Sequence, residues 1–98
     1  MKIEKNQNES NLVVALEGRL DTTTAPQLEE ALKNSLGGVS ELIFDFGKLE
    51  YISSAGLRVL LSTYRAIRGK GRMKITNANE LVKEVFEVTG FTDFLSIE

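Results

Sequence analysis

The spacing of apolar residues changes at two adjacent serines, Ser53 and Ser54. Before them, residues 41–46 (ELIFDF) form an apolar run that is typical of a buried strand; after them, apolar residues recur at helical spacing. A serine at a helix start can accept hydrogen bonds from backbone N–H groups that lack a partner inside the helix. The same position favours a phosphate, because those donors and the helix dipole attract negative charge. The spacing alone leaves both roles open, a cap and a phosphorylation switch.

The composition limits the class of protein. The chain has 98 residues, which suits one domain over residues 1–98, and its apolar fraction of 42% is ordinary for a globular protein. Its net charge of −2 gives no reason to expect binding to nucleic acid or to an anionic membrane. No apolar run approaches the roughly 20 residues of a membrane span, and the charged start (MKIEK) has no signal-peptide core. We therefore expect a complete soluble cytoplasmic domain without direct membrane insertion.

Cysteine and histidine are both absent. Their absence excludes a Ser-His-Asp triad, a Cys–His pair, a disulfide framework and the usual thiolate or imidazole metal sites. Carboxylates could still hold a hard cation, but no segment has the ligand spacing for one. We expect no enzymatic activity, no cofactor and no metal site.

Turn residues and apolar spacing divide the chain into alternating elements. Strands are predicted at residues 1–5, 11–18, 41–46 and 72–76. A first helix is predicted to begin after Thr24, which is its candidate side-chain cap, with Pro26 in the first turn, and to end at residues 37–38 (GG). A second helix follows the serines and ends near residues 69–71 (GKG).

The last helix is predicted to be capped by Asn79 and terminated by Gly90. Its inward side chains are expected to be Leu81, Val82, Val85 and Phe86. The apolar side chains of the tail are expected to pack back on the body: Phe91, Phe94, Leu95 and Ile97.

This element order predicts an α/β fold, with a mixed, mostly parallel sheet of four to five strands and about three to four helices. In such sheets, functional residues gather where strands end and helices begin. Residues 21–24 (DTTT) follow one strand, and Ser53 and Ser54 follow another. We expect these two segments to meet at one edge of the sheet.

Two groups of cations have simple interpretations. The basic stretch at residues 65–74 is interleaved with a helix and a strand, which favours a solvated face over a nucleic-acid patch. Arg58 lies in the first turn of the second helix, where the helix dipole disfavours a cation. An external anion or a partner could account for Arg58, although solvent exposure would make the cost small.

Three segments together resemble the STAS domain of anti-sigma factor antagonists: residues 18–25 (GRLDTTTA), 42–46 (LIFDF) and 51–57 (YISSAGL). The resemblance spans nearly the whole chain, in length and in element order. Either of the outer motifs alone would be a weak signal, but their combination is fairly specific.

The resemblance implies a partner-switching regulator. In that family, the unphosphorylated antagonist binds an anti-sigma factor that is also a serine protein kinase, and so frees a sigma factor. Phosphorylation of one serine or threonine ends the interaction, and a PP2C-type phosphatase restores it. The family's phosphoacceptor falls on Ser54, two residues before Gly56, and its acidic residue falls on Asp21. Ser53, which stands where the family often has aspartate, is the alternate acceptor.

The resemblance also implies a partner-binding surface. Its residues are Asp21, Thr22, Thr23, Ser53, Ser54, Gly56, Leu57 and Arg58. Arg58 stands where a glycine is common in the family. Two other functions known in the wider family stay open at this point: an unphosphorylated subunit that regulates a membrane transporter, and a nucleotide-binding domain. The oligomeric state is also left open.

Overall fold

A computed structural model describes all residues from Met1 to Glu98. The chain forms five strands, three α-helices and one 3₁₀ turn. Their bounds are β1 Lys2–Asn8, β2 Asn11–Leu20, α1 Ala25–Leu32, β3 Glu41–Ile52, α2 Ser54–Ile67, β4 Arg72–Thr76, α3 Glu80–Val88, the 3₁₀ turn Phe91–Asp93 and β5 Ser96–Ile97. None of the helices combines the length and the apolar character needed to cross a bilayer.

The strands form one mixed sheet in the order β1-β2-β3-β4-β5. β1 and β2 form an antiparallel hairpin, and the other three neighbouring pairs are parallel. The parallel pairs arise because α1, α2 and α3 each return the chain to the end of the sheet at which the preceding strand began. The predicted fold class, a mostly parallel sheet of four to five strands with three to four helices, is confirmed.

The main core lies on one face of the sheet. In β2, the alternate residues from Leu12 to Leu16 are buried, whereas Val13 and Ala15 between them are only half-buried. All three helices contribute buried side chains to the same apolar cluster as the buried face of the sheet. The helices therefore leave the other face of the sheet less covered.

A chain of aromatic contacts connects the sheet with the tail. The ring of Phe46 in β3 stacks on Phe86 in α3, with centroids 6.3 Å apart, and Phe86 lies 6.0 Å from Phe91. Phe94 lies 5.1 Å from Phe91 and 5.0 Å from Tyr64 of α2, although it stays 38% exposed. The predicted packing of the tail on the body is confirmed.

α1 is shorter than the apolar spacing predicts. It ends at Leu32 instead of continuing to the glycines at residues 37–38. Turn bonds replace the helix beyond that point: the Ser35 N–H donates to Leu32 O (3.0 Å) and the Val39 N–H to Leu36 O (3.2 Å). Leu36 still packs against the core, as the helical spacing predicted, although the segment that carries it is a turn and not part of a helix.

β3 is longer than predicted, because it runs to Ile52 instead of ending at Phe46. The long strand β2 provides pairing partners for the additional residues, ending with Leu20 opposite Ile52. The pairing shifts register twice, first between Ala15 and Glu17, and this irregularity accommodates a polar segment that interrupts the apolar pattern of the strand.

The prediction for α3 is correct at both ends and wrong at one side chain. The Asn79 side chain accepts a hydrogen bond from the Val82 N–H (2.8 Å), and Gly90 follows the helix with a left-handed φ of 80°. Leu81, however, is 53% exposed, because Val82 and Phe86 define the buried face and Leu81 is rotated by about 100° from Val82.

Replacing Asn79 with alanine should lower the free energy of unfolding by about 1 to 2 kcal/mol. The amide of Asn79 caps α3 and also donates to Leu49 O (3.1 Å), so the substitution removes two hydrogen bonds. Urea unfolding measures the change. Asn79→Asp is the matched control: it keeps the acceptor for Val82 and should lose less than Asn79→Ala, and an equal loss would contradict the capping role.

Candidate functional site

Pairing between the last residues of β2 and β3 brings two chain segments together. Arg19 lies opposite Tyr51 and Leu20 opposite Ile52 in the parallel register. One residue further, the Ser53 N–H donates to Leu20 O (2.9 Å). The loop after β2 and the start of α2 therefore leave the sheet side by side, at the edge where the sequence predicts that they meet.

Asp21 organises the loop between β2 and α1. Its Oδ1 atom accepts hydrogen bonds from the Thr23 N–H (3.0 Å), the Thr23 hydroxyl (3.1 Å) and the Thr24 N–H (3.2 Å). These bonds, led by the one from the Thr23 side chain, lower the pKa of Asp21 below its ordinary value of 3.8, although desolvation opposes them. Asp21 is therefore a fixed negative charge at this edge at neutral pH.

Thr24 occupies the N-cap position of α1, as predicted, but its side chain makes no capping hydrogen bond to the helix. Its Oγ1 atom instead accepts from the Asp21 N–H (2.8 Å) and donates to Arg19 O (2.7 Å). The threonine hydroxyl thus ties the loop to the end of β2, and the expectation of a Thr24 side-chain cap is wrong.

Arg19 is held between an anion and an aromatic ring. Its guanidinium carbon lies 4.4 Å from the centroid of the Tyr51 ring, and its Nε atom lies 3.7 Å from Asp21 Oδ2. These contacts keep Arg19 next to the loop. Arg19 and Tyr51 are not predicted as members of this edge, because the apolar run that predicts β3 ends at Phe46, before Tyr51. Extending β3 in register with β2 would have placed the two residues opposite each other.

Ser53 does not cap α2 with its side chain. It is the N-cap residue with an extended backbone (φ −103°, ψ 177°), and its carbonyl accepts from the Leu57 N–H (2.9 Å). Its Oγ atom is buried and has no hydrogen-bond partner. The capping role is therefore wrong for this hydroxyl, which is also shielded from an approaching protein.

Ser54 is the first residue of α2, and its side chain is exposed. The backbone N–H groups of Ser54, Ala55 and Gly56 have no acceptor within the chain. An anion attached to Ser54 would therefore find unused donors and the positive end of the helix dipole close by.

Gly56 lets α2 pack tightly against the ends of β2 and β3. A Cβ atom at this position would lie 2.7 Å from Leu20 Cγ and 3.0 Å from Ile52 Cγ1. The next residue, Leu57, is also buried. Gly56 and Leu57 thus position the helix from inside and present no side chain to a partner.

The exposed members of the expected surface lie around the start of α2. Thr22, Thr23, Ser54 and Arg58 are all exposed, and Asp21 is partly exposed. Thr22 and Arg58 line one open groove between α1 and α2. The residues that the sequence grouped together are therefore close in space, but they divide into an exposed set and a buried supporting set.

No group of three or more acidic side chains that could hold a metal ion occurs in the chain. What the arrangement offers is a reachable hydroxyl, a fixed carboxylate and unused N–H donors. Such a set suits recognition by another protein and control by a covalent anion.

Comparison with known proteins identifies the family. The model of the STAS domain matches residues 2–98, so the chain belongs to the STAS domain family. A candidate anti-sigma factor antagonist of Bordetella bronchiseptica, BtrV, is 33% identical over 99% of this chain and 85% of its own length. The anti-sigma-B factor antagonist of Bacillus subtilis is 28% identical over 99% of this chain and 90% of its own length. The resemblance drawn from the sequence motifs is confirmed.

A solved structure with the same fold is the Bacillus cell-fate determinant SpoIIAA. Its unphosphorylated form has a TM-score of 0.79 at 20% identity, covering 99% of this chain and 87% of that one. Its phosphorylated form has a TM-score of 0.77 at 21% identity, covering 99% of this chain and 91% of that one. These similarities confirm the fold.

Gly56→Ala should destabilise the protein by about 1 to 3 kcal/mol, although alanine usually stabilises a helix relative to glycine. The added methyl group would collide with the buried side chain of Leu20. Thermal unfolding measures the effect. Gly37→Ala is the matched control, because a Cβ there meets no atom within 4 Å. A Gly56→Ala variant as stable as the control would contradict the tight packing of α2.

The stability provided by the Asp21 carboxylate should depend on pH. Because the folded pKa lies below 3.8, this contribution is fully present above about pH 4 and is lost as the pH falls through the folded pKa. Asp21→Asn should be less stable than the wild type at pH 7, and the difference should vanish in acid. Carboxyl NMR titration gives the pKa directly, and a midpoint at or above 3.8 would contradict the hydrogen-bonded loop.

Proposed function

We propose that this chain is an anti-sigma factor antagonist whose binding edge is switched off by phosphorylation of Ser54. The observation that carries the proposal is the exposure of Ser54 at the start of α2, the helix whose Arg58 lines a groove together with Thr22. The names of the relatives support the same function. Between the two adjacent serines, the buried Oγ of Ser53 favours Ser54 as the acceptor.

In the unphosphorylated state, the edge docks on an anti-sigma factor. The exposed threonines and Ser54 offer hydroxyl groups, while Arg58 and the ionised Asp21 offer one charge of each sign. Rigid positioning by the Asp21 loop and by the packing at Gly56 lowers the entropy lost on docking. The bound anti-sigma factor then releases its sigma factor, in the cytoplasm where transcription takes place.

The anti-sigma factor is proposed to be a serine protein kinase that uses ATP. The Ser54 Oγ atom attacks the γ-phosphorus, the bond from that phosphorus to the bridging oxygen breaks, and ADP leaves. A base of the kinase takes the hydroxyl proton. The chain itself supplies only the acceptor, since it has no histidine or cysteine with which to build a nucleophile–base pair.

The phosphate would weaken docking by local charge. It adds nearly two negative charges and three acceptor oxygens at a contact that otherwise holds a neutral hydroxyl. Asp21, already ionised at the same edge, increases the negative charge that a partner must accommodate. A loss of about 3 kcal/mol at the interface would lower the affinity by roughly a hundredfold. A PP2C-type phosphatase restores binding by hydrolysing the ester to the hydroxyl and inorganic phosphate.

Incubation with the cognate kinase and ATP should add one phosphate, which intact mass and peptide mapping should locate on Ser54. Ser54→Ala should remain unmodified and should bind the anti-sigma factor as the unphosphorylated wild type does. Ser54→Asp should bind the anti-sigma factor at least about tenfold more weakly than the wild type, because it places a charge in the interface. Calorimetry or surface plasmon resonance measures the affinities.

Ser96→Asp is the matched control, because Ser96 is an exposed serine in β5 that lines a groove with Tyr64 and Ile67, at the other end of α2 from Ser54. It should bind like the wild type. Modification at another residue, or equal binding by Ser54→Asp and the wild type, would contradict the proposed switch. Recovery of a permease with no kinase would instead support a transporter subunit.

A further inference from the structure

Arg58 is a cation without an internal partner at the start of α2. Its side chain is exposed, and none of the ion pairs or side-chain hydrogen bonds of the chain involves its guanidinium group, in contrast to Arg19 and Arg72. The nearby acids are occupied or out of reach: Asp21 is bonded within its loop and lies against Arg19, and Glu29 lines the same groove without pairing with Arg58.

The position of Arg58 is also electrostatically unfavourable in the bare protein. Arg58 is the fifth residue of α2, just past the first turn in which the sequence placed it, and a side chain there leans towards the positive end of the helix dipole. A cation there gains nothing from the helix, and no acidic residue stands in the first turn to offset the dipole. An anion between the helix start and Arg58 would interact favourably with the unpaired N–H groups and with the guanidinium group.

Ser54 and Arg58 are four residues apart in a continuous helix. Side chains at this spacing lie on the same helix face, and they lean towards the helix N-terminus. An Arg58 side chain in this general orientation extends back towards Ser54. An anion that precedes a cation by four residues is the favourable order of such a pair, and a guanidinium group can bind two phosphate oxygens at once.

We propose that Arg58 is the internal partner of the phosphate on Ser54. The inference rests on the proposed function in one respect, that Ser54 is the residue that carries the phosphate. Pairing withdraws the guanidinium from the docking edge at the moment when the hydroxyl is lost, so that one modification changes two contact groups. It also stabilises the dianionic form of the phosphate, and so keeps the full charge at neutral pH.

The test titrates a phosphoserine that is inserted during translation at position 54, which requires no kinase. ³¹P NMR follows its second ionisation, whose pKa is ordinarily about 6. In the wild-type background the pKa should be about 0.2 to 0.4 unit lower than in Arg58→Gln. The other charges that face the site, Asp21, Arg19 and Glu29, are the same in both proteins, so the difference isolates Arg58.

Two further variants make the result specific. Arg65→Gln removes another exposed arginine of α2, nearly two turns further from Ser54 and at the other end of the helix, and it should leave the phosphate pKa unchanged. Arg58→Lys keeps the charge and should retain most of the shift. Amide NMR spectra of each variant report whether the fold is intact.

Equal phosphate pKa values in the wild type and Arg58→Gln, or equal shifts in Arg58→Gln and Arg65→Gln, would overturn the inference. This failure is distinct from failure of the proposed function, which shows as absence of kinase-dependent modification at Ser54. The pairing of Arg58 with the phosphate on Ser54 can therefore be refuted while the proposed phosphorylation switch stands. Conversely, a chain that its kinase never modifies could still show the pair.

Discussion

The parallel pairing of the last residues of β2 and β3 is the constraint on which the candidate site depends. Leu20 lies opposite Ile52, and its carbonyl accepts the Ser53 N–H at 2.9 Å. These contacts fix the loop after β2 and the start of α2 side by side. Gly56 then allows α2 to approach Leu20 more closely than a residue with a side chain could. The docking edge is thus built by buried backbone and apolar contacts.

The same arrangement separates support from signalling. The buried groups, including Gly56 and Leu57, hold α2 in place, while Ser54 and Arg58 stand exposed on its first turns. A charge added at Ser54 would meet unused N–H donors and an unpaired cation, so it requires no rearrangement of the core. Under the proposed switch, this division would let the domain lose its partner through local electrostatics while it keeps one fold.

The sequence predicts the order of the elements, the parallel sheet and the α3 cap, because these depend on local spacing and on residue types with strong positional preferences. It also predicts that the Asp21 loop and the serines meet. It does not predict that β3 reaches Tyr51, because pairing with a distant strand overrides the polar interruption. The burial of the Ser53 hydroxyl and the contact between Arg19 and Tyr51 depend on this longer strand, so they could not be read from local pattern.

The central claim is that the added charge acts locally at an unchanged fold. Amide chemical shifts, compared between the bare protein and the protein phosphorylated at Ser54, test it most directly. We expect the changes to be confined to the loop from Asp21 to Thr24 and to the first turns of α2, with the shifts of β4 and α3 unaltered. Changes spread through α3 and the core strands, or a loss of shift dispersion, would contradict the account.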